Sequence, residues 1–309
     1  MKNKEMAKKI LILTGGPRKK LDSFLEPIKR LGLDVFLASF CDIHFFADNS
    51  GNKLSIKVGS NDLSDFNLIY IRMVGKRLED ATLVVNYAKE RGIKIVDKLY
   101  EDSLFIPSSI TKAMEMKKLA DNGVSMPPTY FGSLALIGEN SATLLGMPYV
   151  VKSTSGKKAR DVWLVKDKKE FEELYNTLRE REKEGVCFFA QSLVASSQRV
   201  RVLVVGEKAL GAITRPTKWR KTFIEKQNGE FPDGVKESIF PVPEKYSELA
   251  IRAAKATGLD ISGVDILEDD KTRSLYVIEA NAAPSWNLIK KDCQIDVEEE
   301  ILKFLSSKL

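Results

Sequence analysis

Hydrophobic and polar residues alternate along the first hundred positions in a pattern that predicts strands and helices in turn. Apolar runs at 8–13, 35–40, 66–71 and 93–96 are each typical of a short buried strand. Helical spacing predicts an amphipathic helix that ends near Leu31 and a second helix from Ala81 to Arg91. This alternation predicts a small parallel α/β lobe over residues 1–99.

A second lobe is predicted over residues 100–190. Lys112, Met116 and Leu119 have near-helical spacing, which predicts a helix that ends before Asn122 and Gly123. Two strands follow at 148–152 and 162–165, and a charged helix is predicted over 167–183.

A third lobe is predicted over residues 191–309, and the strand at 186–191 is expected to open it. Further strands are expected at 201–205 and 209–215, followed by a helix, a hairpin and a final helix. The predicted fold class therefore combines α/β and α+β regions.

The predicted hairpin contains three oxygen-bearing side chains, Asp265, Glu279 and Asn281. Residues two apart on a strand share a face, so Glu279 and Asn281 should project together, alongside Leu275 and Val277. Carboxylates among apolar neighbours are costly unless a positive charge neutralises them. Carboxylate and amide oxygens suit Mg²⁺, with Mn²⁺ as an alternative. The other interpretation is a hairpin with an exposed polar edge.

The net charge of the chain narrows the possible ligands and partners only slightly. The 309 residues include 49 basic and 43 acidic side chains, giving a formal charge of +6. This excess fits an anionic ligand such as a nucleotide, and it weakly favours acidic substrates. We expect no nucleic acid partner, because no basic stretch interleaves aromatic residues. Since no apolar run reaches the length of a membrane span, no membrane association is expected.

Cysteine and histidine usage excludes several classes of protein. Cys41, Cys187 and Cys293 are far apart, which suggests neither a disulfide framework nor a zinc site and predicts a cytoplasmic location. His44 is the single histidine, so a hydrolase with a Ser-His or Cys-His pair would depend on it. A structural histidine is the favoured interpretation.

Lys152 ends an apolar strand and precedes a small, basic loop that begins with Ser153, Ser155 and Gly156. Such a loop can give backbone N–H groups, hydroxyls and cations to phosphates. By itself it is more typical of an ordinary basic hairpin. Together with the acidic hairpin, however, it supplies both sides of a magnesium–nucleotide site. Gly15 and Gly16 match the spacing of neither glycine-rich phosphate-binding motif. They therefore predict an ordinary turn at the end of a strand.

The connector Gln191–Ser192–Leu193 could offer backbone groups to an adenine ring, or it could merely join two lobes. Arg201 and Arg215 lie on neighbouring predicted strands, where they could face a phosphate or a substrate carboxylate. Exposed structural arginines are the alternative. The basic stretch at 217–221 is a third candidate for a substrate or phosphate loop.

These pieces, in this order, resemble the ATP-grasp superfamily, and most closely its RimK-like branch of carboxylate–amine ligases. The resemblance covers about residues 66–309, and its most specific part is the combination of Asp265, Glu279-x-Asn281 and Pro284. The supporting segments are Arg72-x-x-Gly75, the helix from Lys112, Pro127-Pro128-Thr129, the strand ending at Lys152, and the pair of strands with Arg201 and Arg215.

The resemblance implies an ATP-grasp fold, with a Rossmann-like N-terminal lobe and nucleotide between the two later lobes. It implies that Asp265, Glu279 and Asn281 hold Mg²⁺. The resemblance also implies which residues contact ATP, and these are Lys112, Lys152, Ser153, Ser155, Gly156, Gln191, Ser192, Leu193 and Arg201. Lys152, Arg201 and Arg215 are expected to stabilise the transferred phosphoryl group. Relatives of this type often self-associate, so a homo-oligomer is expected.

The chain also departs from the branch at four positions. Ser192 and Arg199 stand where acidic residues are usual, Thr222 stands where asparagine is expected, and Gly156 is alone in a loop that tends to have more glycines. An inactive or specialised member is therefore an open alternative.

The predicted activity is ATP-dependent formation of an amide or peptide bond between a carboxylate and an amine through an acyl phosphate. The expected reaction adds an amino acid such as glutamate to an amino acid, a peptide or a protein. An ATP-grasp kinase is one alternative, and a regulatory protein that binds ATP without catalysis is another. The sequence does not identify the acid or the amine.

Overall fold

The computed structural model describes residues 8–48, 53–101, 111–154, 161–196, 198–216 and 237–309. The strands are β1 (Lys9–Thr14), β2 (Asp34–Ser39), β3 (Ile43–Asp48), β4 (Lys53–Val58), β5 (Asn61–Asp62), β6 (Leu68–Met73), β7 (Lys94–Val96), β8 (Thr129–Gly132), β9 (Tyr149–Ser153), β10 (Val162–Val165), β11 (Phe188–Ser192), β12 (Gln198–Val205), β13 (Lys208–Pro216), β14 (Ser238–Ile239), β15 (Ile261–Glu268) and β16 (Leu275–Asn281). The helices are α1 (Leu25–Leu31), α2 (Leu78–Glu90), α3 (Lys112–Asp121), α4 (Leu134–Leu145), α5 (Lys168–Lys183), α6 (Glu244–Thr257), α7 (Asn287–Asp292) and α8 (Val297–Ser307). Within these ranges, no helix is long and apolar enough to cross a membrane.

The first lobe contains the expected parallel sheet, in the order β2-β1-β6-β7. The turn after β1 meets the turn after β6 closely, and the N–H of Gly15 donates to the carbonyl of Met73 at 2.5 Å. A Cβ at Gly15 would lie 1.9 Å from the carbonyl oxygen of Val74, so only glycine fits there. The Gly-Gly-Pro segment is thus a tight structural turn.

A second small sheet in the first lobe was not predicted. Strands β3, β4 and β5 pair antiparallel in that order. His44 lies on β3, where it is exposed and opposite Lys57. The single histidine is therefore on a different sheet from the candidate catalytic residues, in agreement with a structural role.

The central sheet has the order β10-β9-β11-β8, and α4 and α5 cover it. The strand at 186–191 was expected to open the third lobe, and this is wrong: β11 pairs with both β8 and β9. Its apolar residues Phe188 and Ala190 belong to the core of the central sheet, which explains its position. The predicted domain boundaries themselves stay predictions.

The C-terminal sheet has the order β14-β13-β12-β15-β16, with antiparallel neighbours. One face packs against α3 and α6 through residues such as Val202, Val264 and Ala280. The other face, with Leu203 and Ile261, packs against α8 and against the first lobe. The expected hairpin is present as β15 and β16.

A β-bulge corrects one detail of that hairpin. Asp265 pairs with Glu279 while Ile266 pairs with Val277, so Ile278 is the extra residue. The extra residue reverses the alternation, and Val277 therefore faces α6 with Ala280 instead of sharing the face of Glu279.

Candidate active site

The register of the C-terminal sheet places the polar candidates on one face. Arg199 pairs with Arg215, Arg201 pairs with Asp265, and Asp265 pairs with Glu279. Directly opposite residues in an antiparallel sheet project to the same side. This is the face that also carries Leu203 and Ile261. It is apolar around those two residues and strongly charged at the end where Arg201, Asp265 and Glu279 lie.

Asp265 is completely buried and is held by two arginines. The guanidinium of Arg201 donates to both carboxylate oxygens, with Nε–Oδ1 at 2.6 Å and Nη2–Oδ2 at 2.8 Å. Nη1 of Arg199 lies 3.3 Å from Oδ2 of the same carboxylate. Arg199, which departs from the expected acidic residue, thus lies at the centre of the site. Hydrogen bonding to Asp265 raises the pKa of Arg201.

Glu279 bonds to a lysine at the start of helix α3. Nζ of Lys112 donates to Glu279 Oε1 at 2.5 Å and to Glu115 Oε2 at 2.9 Å. Burial disfavours the charged lysine, but the two carboxylates outweigh it and raise the pKa of Lys112. The side chain of Thr111 caps the N-terminus of α3, so the helix begins at Lys112 and presents this lysine in its first turn.

Lys152 approaches the same cluster from the central sheet. Its Nζ donates to Gln191 Oε1 at 2.6 Å, and Gln191 Nε2 donates to Thr129 Oγ1 at 2.8 Å. Burial lowers the pKa of Lys152 to about 8, and the nearby positive charges of Lys112 and Arg199 add to that effect. An ammonium with a neutral amide as its partner is well suited to receive an anion.

The connector between the central sheet and the C-terminal sheet is held in place by hydrogen bonds. The side chain of Gln191 is buried and supports Lys152, and the N–H of Ser192 donates to the carbonyl of Pro128 at 2.9 Å. The hydroxyl of Ser192 donates to the carbonyl of Leu145 at 3.1 Å. Leu193 follows β11 and is half-buried.

Three further candidates complete the site. Asn281 Nδ2 donates to the carbonyl of Gly263 at 3.2 Å, which fixes the orientation of the amide. Ser153 is buried at the end of β9, and its N–H donates to the carbonyl of Asp161 at 3.1 Å. Burial and the charges of Arg201 and Arg199 lower the pKa of Arg215.

Ser155, Gly156 and the basic stretch with Thr222 lie outside the described residues.

Two residues with a place in this site were not predicted. Glu115 is buried beside Lys112, and its only sequence signal is the i, i+3 spacing from that lysine. Arg72 was noted only as part of a turn. It donates to the carbonyl of Pro284 at 2.5 Å and lies 4.0 Å above the ring of Trp286, which joins the first lobe to the segment after β16.

The donor set fits a hard divalent cation. Asp265 and Glu279 are cross-strand partners, and Asn281 is two residues from Glu279 on the same strand. Two carboxylates and one amide leave places for water and phosphate oxygens, as Mg²⁺ requires. Among the described residues, no group of three or more His, Cys, Asp or Glu side chains has the arrangement of a metal site.

Lys112, Lys152 and Arg201 lie around two paired carboxylates where the central sheet meets the C-terminal sheet, an arrangement that fits an ATP-grasp enzyme. The model of the RimK-like ATP-grasp domain matches residues 111–305, which is more than half of the chain. The chain belongs to the RimK-like ATP-grasp family.

Curated relatives are named as synthases and ligases. N-acetylaspartylglutamate synthase A of Mus musculus is 27% identical over 84% of this chain and 67% of its own length. Beta-citrylglutamate synthase B of Homo sapiens is 30% identical over 66% of this chain and 52% of its own length. The probable alpha-L-glutamate ligase of Trichodesmium erythraeum is 26% identical over 97% of both chains. The chain thus spans about half to two thirds of these two mammalian relatives. It is an ATP-dependent ligase of the C–N bond-forming class.

Solved structures show the same fold. The ATP-grasp ligase PsnB complexed with minimal precursor has a TM-score of 0.69 at 16% identity, with 98% of this chain and 99% of that chain covered. D-cycloserine synthetase DcsG has a TM-score of 0.65 at 18% identity, with 97% and 99% covered. ATP-grasp ligases use ATP with Mg²⁺, and another PsnB structure contains Mg and ADP.

Proposed function

We propose that this protein joins the amine of glutamate to a carboxylic acid, through an acyl phosphate formed from ATP. Three relatives support this choice of amine, because the name of each includes glutamate. The excess of cations around the site favours an acid that carries more than one carboxylate.

One observation carries the proposal. A single face of the C-terminal sheet holds the paired carboxylates Asp265 and Glu279, and two lysines from other elements, Lys112 and Lys152, approach it. Phosphoryl transfer needs this combination, because charge builds up on the phosphate oxygens and the reacting groups must be held in line.

Each cationic residue has a role in the proposal. Lys112, Lys152 and Ser153 bind phosphate oxygens of ATP. Arg201 and Arg215 neutralise the phosphoryl group and the acid as they react. Ser192 and Leu193 contact adenine, whereas Gln191 acts through Lys152.

Asp265, Glu279 and Asn281 would hold Mg²⁺, which supplies charge neutralisation at the β- and γ-phosphates when bound. Mn²⁺ should substitute, since it also prefers oxygen ligands.

The chemistry proceeds in two steps. A carboxylate oxygen of the acid attacks the γ-phosphorus, and ADP leaves. The amine then attacks the acyl carbon, the bond to phosphate oxygen breaks, and the products are the amide and inorganic phosphate. The arginines stabilise the oxyanion that forms between these events.

We propose a cytoplasmic setting, in accordance with the free thiols of Cys41, Cys187 and Cys293. Self-association to a homo-oligomer is also proposed, because relatives of this kind commonly form one.

The decisive experiment is a product screen. The purified protein receives Mg-ATP, glutamate and pools of di- and tricarboxylic acids, amino acids or acidic peptides, and products are identified by mass spectrometry. A condensed product with equimolar ADP and phosphate supports the proposal. A phosphorylated acid with ADP would instead identify a kinase, and ATP that stays intact with every pool would contradict the ligase assignment.

The metal assignment has its own test, Glu279→Ala. This variant should lose ligase turnover by at least about a hundredfold while its thermal stability stays near that of the parent protein, because the carboxylate is partly exposed. Glu172→Ala, on the exposed side of α5, is the matched control and should keep full activity. Turnover by Glu279→Ala at the parental rate would refute the assignment.

A further inference from the structure

Glu115 lies one turn into α3 and is almost completely buried, with 1% of its surface exposed. A carboxylate in such a position is costly unless each oxygen has a partner. Burial raises the pKa of Glu115, although the charge of Lys112 opposes that shift. The carboxylate must therefore be stabilised by specific contacts, and the structure shows two.

The first contact is with the strand that carries the proposed metal ligands. Glu115 Oε1 accepts the N–H of Ala280 at 2.5 Å. Ala280 stands between Glu279 and Asn281 on β16, which is the outer strand of its sheet. This N–H points away from β15, so the carboxylate replaces the missing neighbouring strand.

The second contact is with a phosphate-binding lysine. Glu115 Oε2 accepts from Nζ of Lys112 at 2.9 Å, and the same ammonium donates to Glu279. Glu279 is 32% exposed, whereas Glu115 is 1% exposed. Glu279 can therefore turn towards a cation, but Glu115 has no such freedom.

We propose that Glu115 is a positioning residue that keeps Lys112 directed at the nucleotide and fixes the backbone between Glu279 and Asn281. If Glu279 turned to hold a metal ion, Glu115 would still accept from the Lys112 ammonium and keep it in place. One buried carboxylate thus sets the distance between the lysine that binds phosphate and the strand that binds the metal. This inference rests on the proposed nucleotide site.

The two contacts can be separated by Glu115→Gln. The amide oxygen still accepts the N–H of Ala280, but the negative charge that compensates Lys112 is lost. We expect the dissociation constant for Mg-ADP, measured by calorimetry, to rise about tenfold or more, because a buried charge pair has lost one partner. Asp121→Asn removes an exposed carboxylate from the same helix and should leave binding unchanged.

A double-mutant cycle tests whether Glu115 acts through Lys112. In a Lys112→Met background, Glu115→Gln should change Mg-ADP binding by less than about twofold, since the ammonium that it positions is absent. Thermal melting of each variant shows whether it is folded. If Glu115→Gln does not fold, Glu115→Asp is the second variant. It keeps the charge with a shorter reach, so it should lose affinity for Mg-ADP, but by less than the loss of about tenfold expected for Glu115→Gln.

Parental affinity of Glu115→Gln for Mg-ADP would overturn the inference, and so would an undiminished effect in the Lys112→Met background. A parent protein that itself binds no Mg-ADP would overturn the proposed nucleotide site, which is a different result.

Discussion

Lys152 should make the protein less stable at neutral pH, because its ammonium is buried and hydrogen-bonds to the amide of Gln191, with no carboxylate partner among the described residues. The pKa of Lys152 falls from 10.5 to about 8 through burial. That difference corresponds to about 3 kcal/mol at pH 7, and it is the energy that binding of an anion would recover. Lys152→Met removes this cost. It should also abolish nucleotide binding, as measured by calorimetry.

The sign of the pH dependence follows from linkage. Because the folded protein has the lower pKa, the unfolded chain holds the proton more tightly between about pH 8 and pH 10.5. The unfolding free energy of the parent protein should therefore increase relative to that of Lys152→Met as the pH rises through this window. The difference in unfolding free energy between the two should change by about 3 kcal/mol from pH 7 to pH 10.5.

Loss of the hydrogen bond to Gln191 costs about 1–3 kcal/mol in the variant, but this cost is similar at both pH values and does not affect the change. Urea unfolding followed by tryptophan fluorescence is a suitable assay, since Trp163 lies on the strand beside β9. Lys169→Met, on the exposed side of α5, is the control. A difference between parent and Lys152→Met that does not vary with pH would refute the reasoning.

Two further substitutions test other contacts of the site. Arg72→Met removes the hydrogen bond to Pro284 and the stack on Trp286; we expect a loss of about 2 kcal/mol in stability and faster amide hydrogen exchange at 281–286, and unchanged exchange there would contradict the role of this contact. Asp265→Asn leaves Arg201 without its buried counter-charge. It should cost about 3–5 kcal/mol in urea unfolding and abolish turnover, and a variant as stable as the parent would show that the pair is not needed.

The sequence predicted the charged face well, because strand alternation determines it. Asp265 and Glu279 were expected on two strands of one hairpin, and they are direct partners. The strand at 162–165 was predicted with the bounds that the structure shows. The segment that begins at Lys152 was paired with this hairpin as the other side of one nucleotide site, and the family resemblance then added Lys112.

Other features depend on contacts that a linear pattern does not contain. The bulge at Ile278 moved Val277 to the opposite face, because one extra residue reverses the period of two. Helix α4 was missed, and the exposure of Leu136 and Leu144 shows why: its apolar residues do not form one stripe. Glu115 looked like an ordinary helix residue, since only its tertiary contact with Ala280 reveals its position.

The way in which Asp265 and Glu279 are already neutralised has a consequence for the order of events. Arg201, Arg199 and Lys112 surround the two carboxylates with positive charge. A bare divalent ion would have to approach these cations and compete with them, so it would gain little from binding alone. In the proposed function, a nucleotide would bring negative charge that offsets these cations. We therefore expect metal and nucleotide to bind together, as one complex.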